Sequence, residues 1–112
     1  MGRMRPRINI WIEHGGEVVL SDWRVSLLET IAETGSISAA ALKLNVPYHR
    51  AWDKLNEMER GLGEKLVEAQ AGGAGGGGAH LTRAGQAYIE RFRRLQEGFE
   101  ETLERRFKDE FR

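Results

Sequence analysis

Tyr48, His49 and Arg50 stand side by side, and Lys54 follows one helical turn beyond Arg50 on the same side. A guanidinium can donate two parallel hydrogen bonds to a guanine edge, a contact worth roughly 1–3 kcal/mol of discrimination, and an ammonium can meet a phosphate. Ser36 and Ser38 carry hydroxyls suited to the sugar-phosphate backbone. The stretch AGGAGGGGA, residues 71–79, adds bare backbone N–H groups, among them those of Gly75, Gly76 and Gly77, which nothing keeps away from an anion. His80 and Arg83 follow it; the arginine suits a phosphate, and the histidine suits either a phosphate or pairing across a strand. The chemistry on offer is recognition of anions and base edges. Each residue also has a plain structural use: Ser36 and Ser38 as caps, Arg50 and His49 as a solvated first turn, Lys54 as a surface lysine.

Other chemistries lack their parts. There is no cysteine, so thiolate metal and redox chemistry is absent, and His14, His49 and His80 fall in three separate segments. No Ser-His-Asp set, paired carboxylates or metal-ligand cluster is visible, so the expectation is a protein that is not an enzyme and uses no cofactor or metal. The glycine tract ends GGGGAHLT, without the lysine that a phosphate loop of a nucleotide enzyme requires. Lys and Arg number 17 against 17 Asp and Glu, a net charge of +0, so affinity for a polyanion must come from local arrangement. No apolar run approaches the roughly 20 residues that span a bilayer, and no signal-peptide core follows GRMRPR, which predicts a cytoplasmic chain.

The elements that must position these residues are legible. A length of 112 residues suits one domain, here 1–112. In RINIWIE the residues Ile8, Ile10 and Ile12 alternate with polar or amphipathic neighbours, and HGGE supplies a turn before VVLS, so 8–21 reads as a β-hairpin. Ser21 or Asp22 can cap a helix over 23–34, whose Trp23, Leu27, Leu28 and Ile31 share a face and which ends at Gly35. Ser36 then caps a short helix, 37–44, whose Ala39, Ala40 and Ala41 allow another helix to approach closely. Val46 serves as a buried plug in the turn, and Pro47 opens a third helix over 47–61 with Ala51, Leu55 and Met58 inward and Trp52 in the core. That is a helix-turn-helix, in which the second helix of the pair enters the DNA major groove. KLVEAQ and AHLT flank the glycines as two short strands, a wing over 66–82.

With these segments in place the chain resembles the N-terminal domain of the ModE family of molybdate-responsive transcriptional regulators, and more distantly the winged helix of LysR-type regulators. The motifs that carry the likeness are GSISAAA, the tract from Tyr48 to Asp53, NEM at Asn56–Met58, the glycine wing, and LTRAG at Leu81–Gly85. The resemblance implies a mostly α fold with small β elements, a winged helix-turn-helix that binds double-stranded DNA as a homodimer at a pseudo-palindromic promoter site. Family members also carry paired β-barrel domains that hold molybdate; 112 residues leave no room for them, so an oxyanion response is expected only indirectly. Pro47, His49 and Ala74 depart from the serine, basic residue and lysine usual in the family, each removing a phosphate contact.

From residue 83 to 110 the apolar residues recur every three or four positions, which predicts one long amphipathic helix of about 40 Å. Its beginning can cover the winged helix. Phe92, Leu95, Phe99, Leu103 and Phe107 are expected to meet a second copy. Two other readings stay open: a winged helix used for docking another protein, and a molybdate or tungstate sensor binding the anion directly. Arg3, Arg5 and Arg7 offer a basic arm for further DNA contact.

Overall fold

The computed structural model describes residues 3–70 and 78–111; the expected wing-tip contacts Gly75, Gly76 and Gly77 lie outside them. In chain order the elements are β1 (Trp11–His14), β2 (Glu17–Ser21), α1 (Asp22–Thr34), α2 (Ile37–Lys43), α3 (Tyr48–Leu62), β3 (Val67–Ala69), β4 (Ala79–Leu81), α4 (Arg83–Gln96) and α5 (Phe99–Glu110).

The strands β1 and β2 pair antiparallel, with His14 opposite Glu17 and Trp11 opposite Ser21. Gly15 and Gly16 both take positive φ, 62° and 83°, as a tight hairpin turn of matching twist requires. The hairpin is shorter than the alternation from Ile8 predicts. Ser21 is already the N-cap of α1, so residues before Trp11 have no strand left to pair with. His14 Nδ1 donates to the Gly61 carbonyl at 2.9 Å, fastening the hairpin to the end of α3.

Capping sets the helix boundaries. Ser21 Oγ accepts from Arg24 N–H and Ser36 Oγ from Ala39 N–H, while Gly35 ends α1 in the left-handed region at φ 71°. Pro47, expected inside the third helix, is instead its extended N-cap residue. The core joins Val25, Leu28 and Ile31 of α1, Ala40 and Ala41 of α2, and Ala51, Leu55 and Met58 of α3, all buried. The alanines at the α2–α3 crossing let the two backbones approach closely. Val46 is half-buried against this core, its N–H donating to the Ala41 carbonyl.

The base of the wing is tied on three sides. Glu59 of α3 accepts the N–H groups of Leu66 and Val67, and the N–H of Ala79 donates to the Gly35 carbonyl at 2.9 Å. Thr82 then caps α4, donates its N–H to Leu66 O and its hydroxyl to Lys65 O. Across this winged helix-turn-helix, α4 lays Ile89 and Phe92 on the core.

The helical segment expected without interruption over 83–110 divides in two. The last turn of α4 is pinned to the start of α1, because Arg93 donates to Asp22 and Glu29 and Gln96 donates to Asp22. The chain then redirects at Gly98, whose φ of 86° suits glycine, and α5 continues with no residue buried.

The Arg93 hydrogen bond holds the Asp22 carboxyl below its ordinary value of 3.8 against the opposing effect of burial, and Glu29 and Asp22 together raise the Arg93 guanidinium. A depressed carboxylate stabilises above its unfolded value and ceases to do so as pH falls through its folded value. The melting temperature of Arg93→Gln should therefore lie below that of the natural sequence at pH 7, and the gap should narrow as pH falls below 3.8, leaving the share due to the neutral acceptors Ser26 and Gln96.

Candidate nucleic-acid interface

The first turn of α3 is open to solvent. Tyr48 is 53% exposed, His49 and Arg50 stand beside it, and the helix starts without a side-chain cap. From α2, Ser38 is exposed, whereas the Ser36 hydroxyl is engaged in capping. An open cleft of about 260 Å³ gathers Ser36 and Ser38 of α2, Tyr48 and Trp52 of α3, and Gln70 and Gly78 of the wing. Gln70 N–H donates to Gly78 O at 2.9 Å, which extends the wing ladder by one further bond.

The remaining expected contacts lie around this cleft rather than in it. Arg50, Lys54 and Glu57 occupy one stripe of α3 at i, i+4 and i+7. Lys54 Nζ sits 3.5 Å from Glu57 Oε2, so it is ion-paired within the helix. Glu57 Oε1 accepts from Arg24 Nη2 at 2.9 Å, and this hydrogen bond is the main cause that holds the Glu57 carboxyl below its usual range. His80 faces Glu68 across the wing strands, both exposed, and Arg83 is exposed in the first turn of α4.

Trp52 differs from its expected place in the core. It packs on the core with one side and lines the cleft with another, meeting the Tyr48 ring edge-on at 6.3 Å and 71°. A large aromatic at a helix-helix crossing has more surface than the alanine-rich core can take. The sequence names Glu57 only within the NEM motif and Gln70 not at all; their roles depend on partners across the fold, although Glu57 lies three residues after Lys54, a spacing that does signal an ion pair.

The stripe expected to meet a second copy also needs one correction. Phe92 is 1% exposed and belongs to the protomer core, because the first three turns of α4 still lie over α1 and the wing base. Beyond it Leu95 and Phe99 are 45% and 46% exposed and Phe111 61%, with Leu103 and Phe107 half-buried and the Phe107 and Phe111 rings stacked at 5.2 Å. Among the described residues no cluster of three or more His, Cys, Asp or Glu is placed to hold a metal ion. No described helix is long and apolar enough to cross a membrane.

Comparison with known proteins gives a consistent likeness. The family model described as bacterial regulatory helix-turn-helix protein, lysR family, matches residues 24–86. The DNA-binding transcriptional dual regulator ModE of Escherichia coli (strain K12) is 51% identical over 67 residues, 60% of this chain and 26% of that protein. The molybdenum-pterin-binding protein MopB of Rhodobacter capsulatus is 42% identical over 80 residues, 71% of this chain and 30% of the relative. The chain thus spans 26% of the length of the Yersinia pestis and Escherichia coli ModE relatives it matches. Among solved structures, the DNA-binding domain of CbnR in complex with DNA superimposes with a TM-score of 0.56 and 31% identity, covering 67% of this chain and 80% of that one.

Proposed function

We propose, from the premise that this chain belongs to the lysR family of bacterial regulatory helix-turn-helix proteins, that it is a cytoplasmic, sequence-specific transcriptional regulator binding a pseudo-palindromic promoter site as a homodimer. The observation that carries this reading is the open cleft joining the start of α2, the first turn of α3 and the base of the wing. A duplex seated there places α3 in the major groove. Arg50 and Tyr48 then face base edges, while Ser38, Lys54 and Arg83 face phosphates. His49 joins the base contacts and His80 the wing's backbone contacts.

The partner copy follows from α5. A two-fold axis along its exposed apolar stripe sets two recognition helices about 34–36 Å apart, the spacing of successive major grooves. The Rhodobacter relative is a molybdenum-pterin-binding protein. In this chain a molybdate signal would reach the DNA-binding face indirectly, through the helical segment after the wing.

The test is binding of genomic fragments across a salt series, with sequencing of what is retained. Enrichment of a pseudo-palindrome and a steep negative salt slope are expected, because each neutralised phosphate contributes a slope of about −0.9. Arg50→Ala should relax preference at one base position by about 2 kcal/mol. Arg83→Ala should weaken all duplexes alike and flatten the slope by about one. Salt-insensitive binding overturns the reading and favours a protein-docking module.

A further inference from the structure

A carboxylate sits where a DNA-binding helix should least tolerate one. Glu57 lies on the same stripe of α3 as Arg50 and Lys54, the residues assigned above to a base edge and a phosphate, and roughly half a turn around the helix from the cleft-lining Tyr48; on that stripe its charge opposes phosphates. We propose that Glu57 is a competitor for Lys54 that holds the ammonium away from DNA until a phosphate in the correct register displaces it, with Arg24 as the buried cation that keeps Glu57 in place. The inference rests on the DNA-binding reading.

The geometry divides the two oxygens of Glu57 between two cations of different character. Oε1 takes a 2.9 Å hydrogen bond from Arg24, a residue only 8% exposed; Oε2 lies 3.5 Å from the ammonium of Lys54, whose side chain is 33% exposed. The Arg24 contact is short and part-buried. The Lys54 contact is long and open to water, hence easily exchanged. Arg24 Nη1 is buried without a hydrogen-bond partner among the described residues, a costly arrangement if stability were its only purpose. What the guanidinium supplies is a fixed direction for one carboxylate. Arg24 also holds the Glu57 carboxyl below its usual range, and a glutamate is ionised at neutral pH with or without that shift.

On DNA, the exchange leaves no charge unpaired: the phosphate takes Lys54 while Glu57 keeps Arg24. On a random sequence Arg50 finds no base edge to fix α3, so no phosphate is held close enough to win Lys54 from Glu57. In the specific site it is. Glu57 thus penalises non-specific binding more than specific binding, which raises the ratio a regulator needs against the excess of competing genomic DNA.

The experiment compares a scrambled duplex with the duplex enriched from genomic fragments, for the natural sequence, Glu57→Gln, Arg24→Met, Arg24→Met/Glu57→Gln and Lys54→Gln with and without Glu57→Gln. The expected result is scrambled-duplex binding about two- to fivefold tighter in Glu57→Gln, with the salt slope steeper by about 0.9 and a smaller gain for the specific duplex. Arg24→Met should move the opposite way, since Glu57 then turns wholly to Lys54. In the Lys54→Gln background, Glu57→Gln should keep only the smaller gain from relieved phosphate repulsion and leave the salt slope unchanged, because no ammonium is released. Should Glu57→Gln fail to fold with Arg24 buried and unpaired, the same comparison is made between Arg24→Met and the double variant. Folded variants in which both single changes weaken binding, or in which Glu57→Gln steepens the salt slope as much without Lys54 as with it, show that Lys54 is not the group Glu57 restrains and overturn the inference. Wild-type protein that binds neither duplex fails the DNA reading itself, whereas wild-type binding with no response at Glu57 fails this inference alone.

Discussion

Glutamate at both Phe99 and Leu103 should lower affinity for the enriched duplex by two orders of magnitude or more while leaving the protomer folded. The first half of that expectation follows from linkage. Once one half-site is occupied, the second recognition helix of a dimer binds at an effective concentration far above that of free protein, and avidity gains of roughly 10²–10⁴ are lost when the copies separate. The second half follows from burial. No residue of α5 is buried in the protomer, and the helix follows a break at Gly98, so charges on its stripe disturb no core contact. Phe99 is 46% exposed and Leu103 half-buried, and Leu95 and Phe111 extend the same exposed apolar line. Within one protomer this line stays about half exposed; a second copy of the same line removes the exposed part of both from water. Phe92→Glu would be a misleading substitute, since that ring is core and its loss unfolds the protomer. Sedimentation at several concentrations, alongside DNA titration, checks both halves. A monomeric natural protein, or a variant that separates into protomers yet binds DNA unchanged, would return α5 to the role of a docking helix for another protein.

The same stretch shows where sequence patterning stops being informative. Phe92, Leu95, Phe99 and Leu103 share one helical period, yet Phe92 is core, Leu95 and Phe99 are exposed, and a glycine kink lies between Leu95 and Phe99. Periodicity reports which side of a helix is apolar, not how far the body of the protein extends beneath it. The break itself depends on Arg93 and Gln96 reaching Asp22, more than 70 positions earlier in the chain. Features set by local chemistry were legible. Ser21, Ser36 and Thr82 act as caps because their hydroxyls satisfy free N–H groups within three residues, and Gly35 ends α1 because it takes the left-handed region. At the candidate interface, the exposure of Tyr48, His49, Arg50 and Ser38 is legible because they are polar or amphipathic and lie off the faces carrying Ile37, Ala40, Ala51 and Leu55, which are buried. Glu57 is named only within the NEM motif, since its meaning lies in Arg24, on another helix. Trp52 is the reverse case: its size and type place it in the core, but residue type alone does not say how much of a large ring the core has room for, and here the ring is only partly buried.

Alanine at Gly85 should destabilise the domain by about 3 kcal/mol, a large share of what a domain of this size has. A Cβ there would lie 2.3 Å from the Leu66 carbonyl oxygen and 3.2 Å from its carbon. Both are backbone atoms at the base of the wing, and that carbonyl already accepts the N–H of Thr82. The obstruction cannot rotate away, so α4 must lift. Lifting breaks the Thr82 hydroxyl contact to Lys65 and draws Ile89 and Phe92 off the core. Gly61 makes the informative contrast: a Cβ at that position would meet Val19 Cγ1 at 2.4 Å, equally close, but this atom ends a side chain. Gly61→Ala should therefore be relieved by Val19→Ala, with the hairpin repacked, whereas no side-chain truncation can relieve Gly85→Ala. Chemical denaturation of the two single variants and the Gly61→Ala/Val19→Ala pair measures the difference. If Gly85→Ala is as stable as the natural sequence, the close approach of α4 to the wing is not what holds the glycine in LTRAG. If it is destabilised but still folded at low temperature, DNA binding should weaken there too. The same carbonyl that excludes the methyl group anchors the strand leading into the wing, and a lifted α4 leaves that strand free to turn away from the duplex.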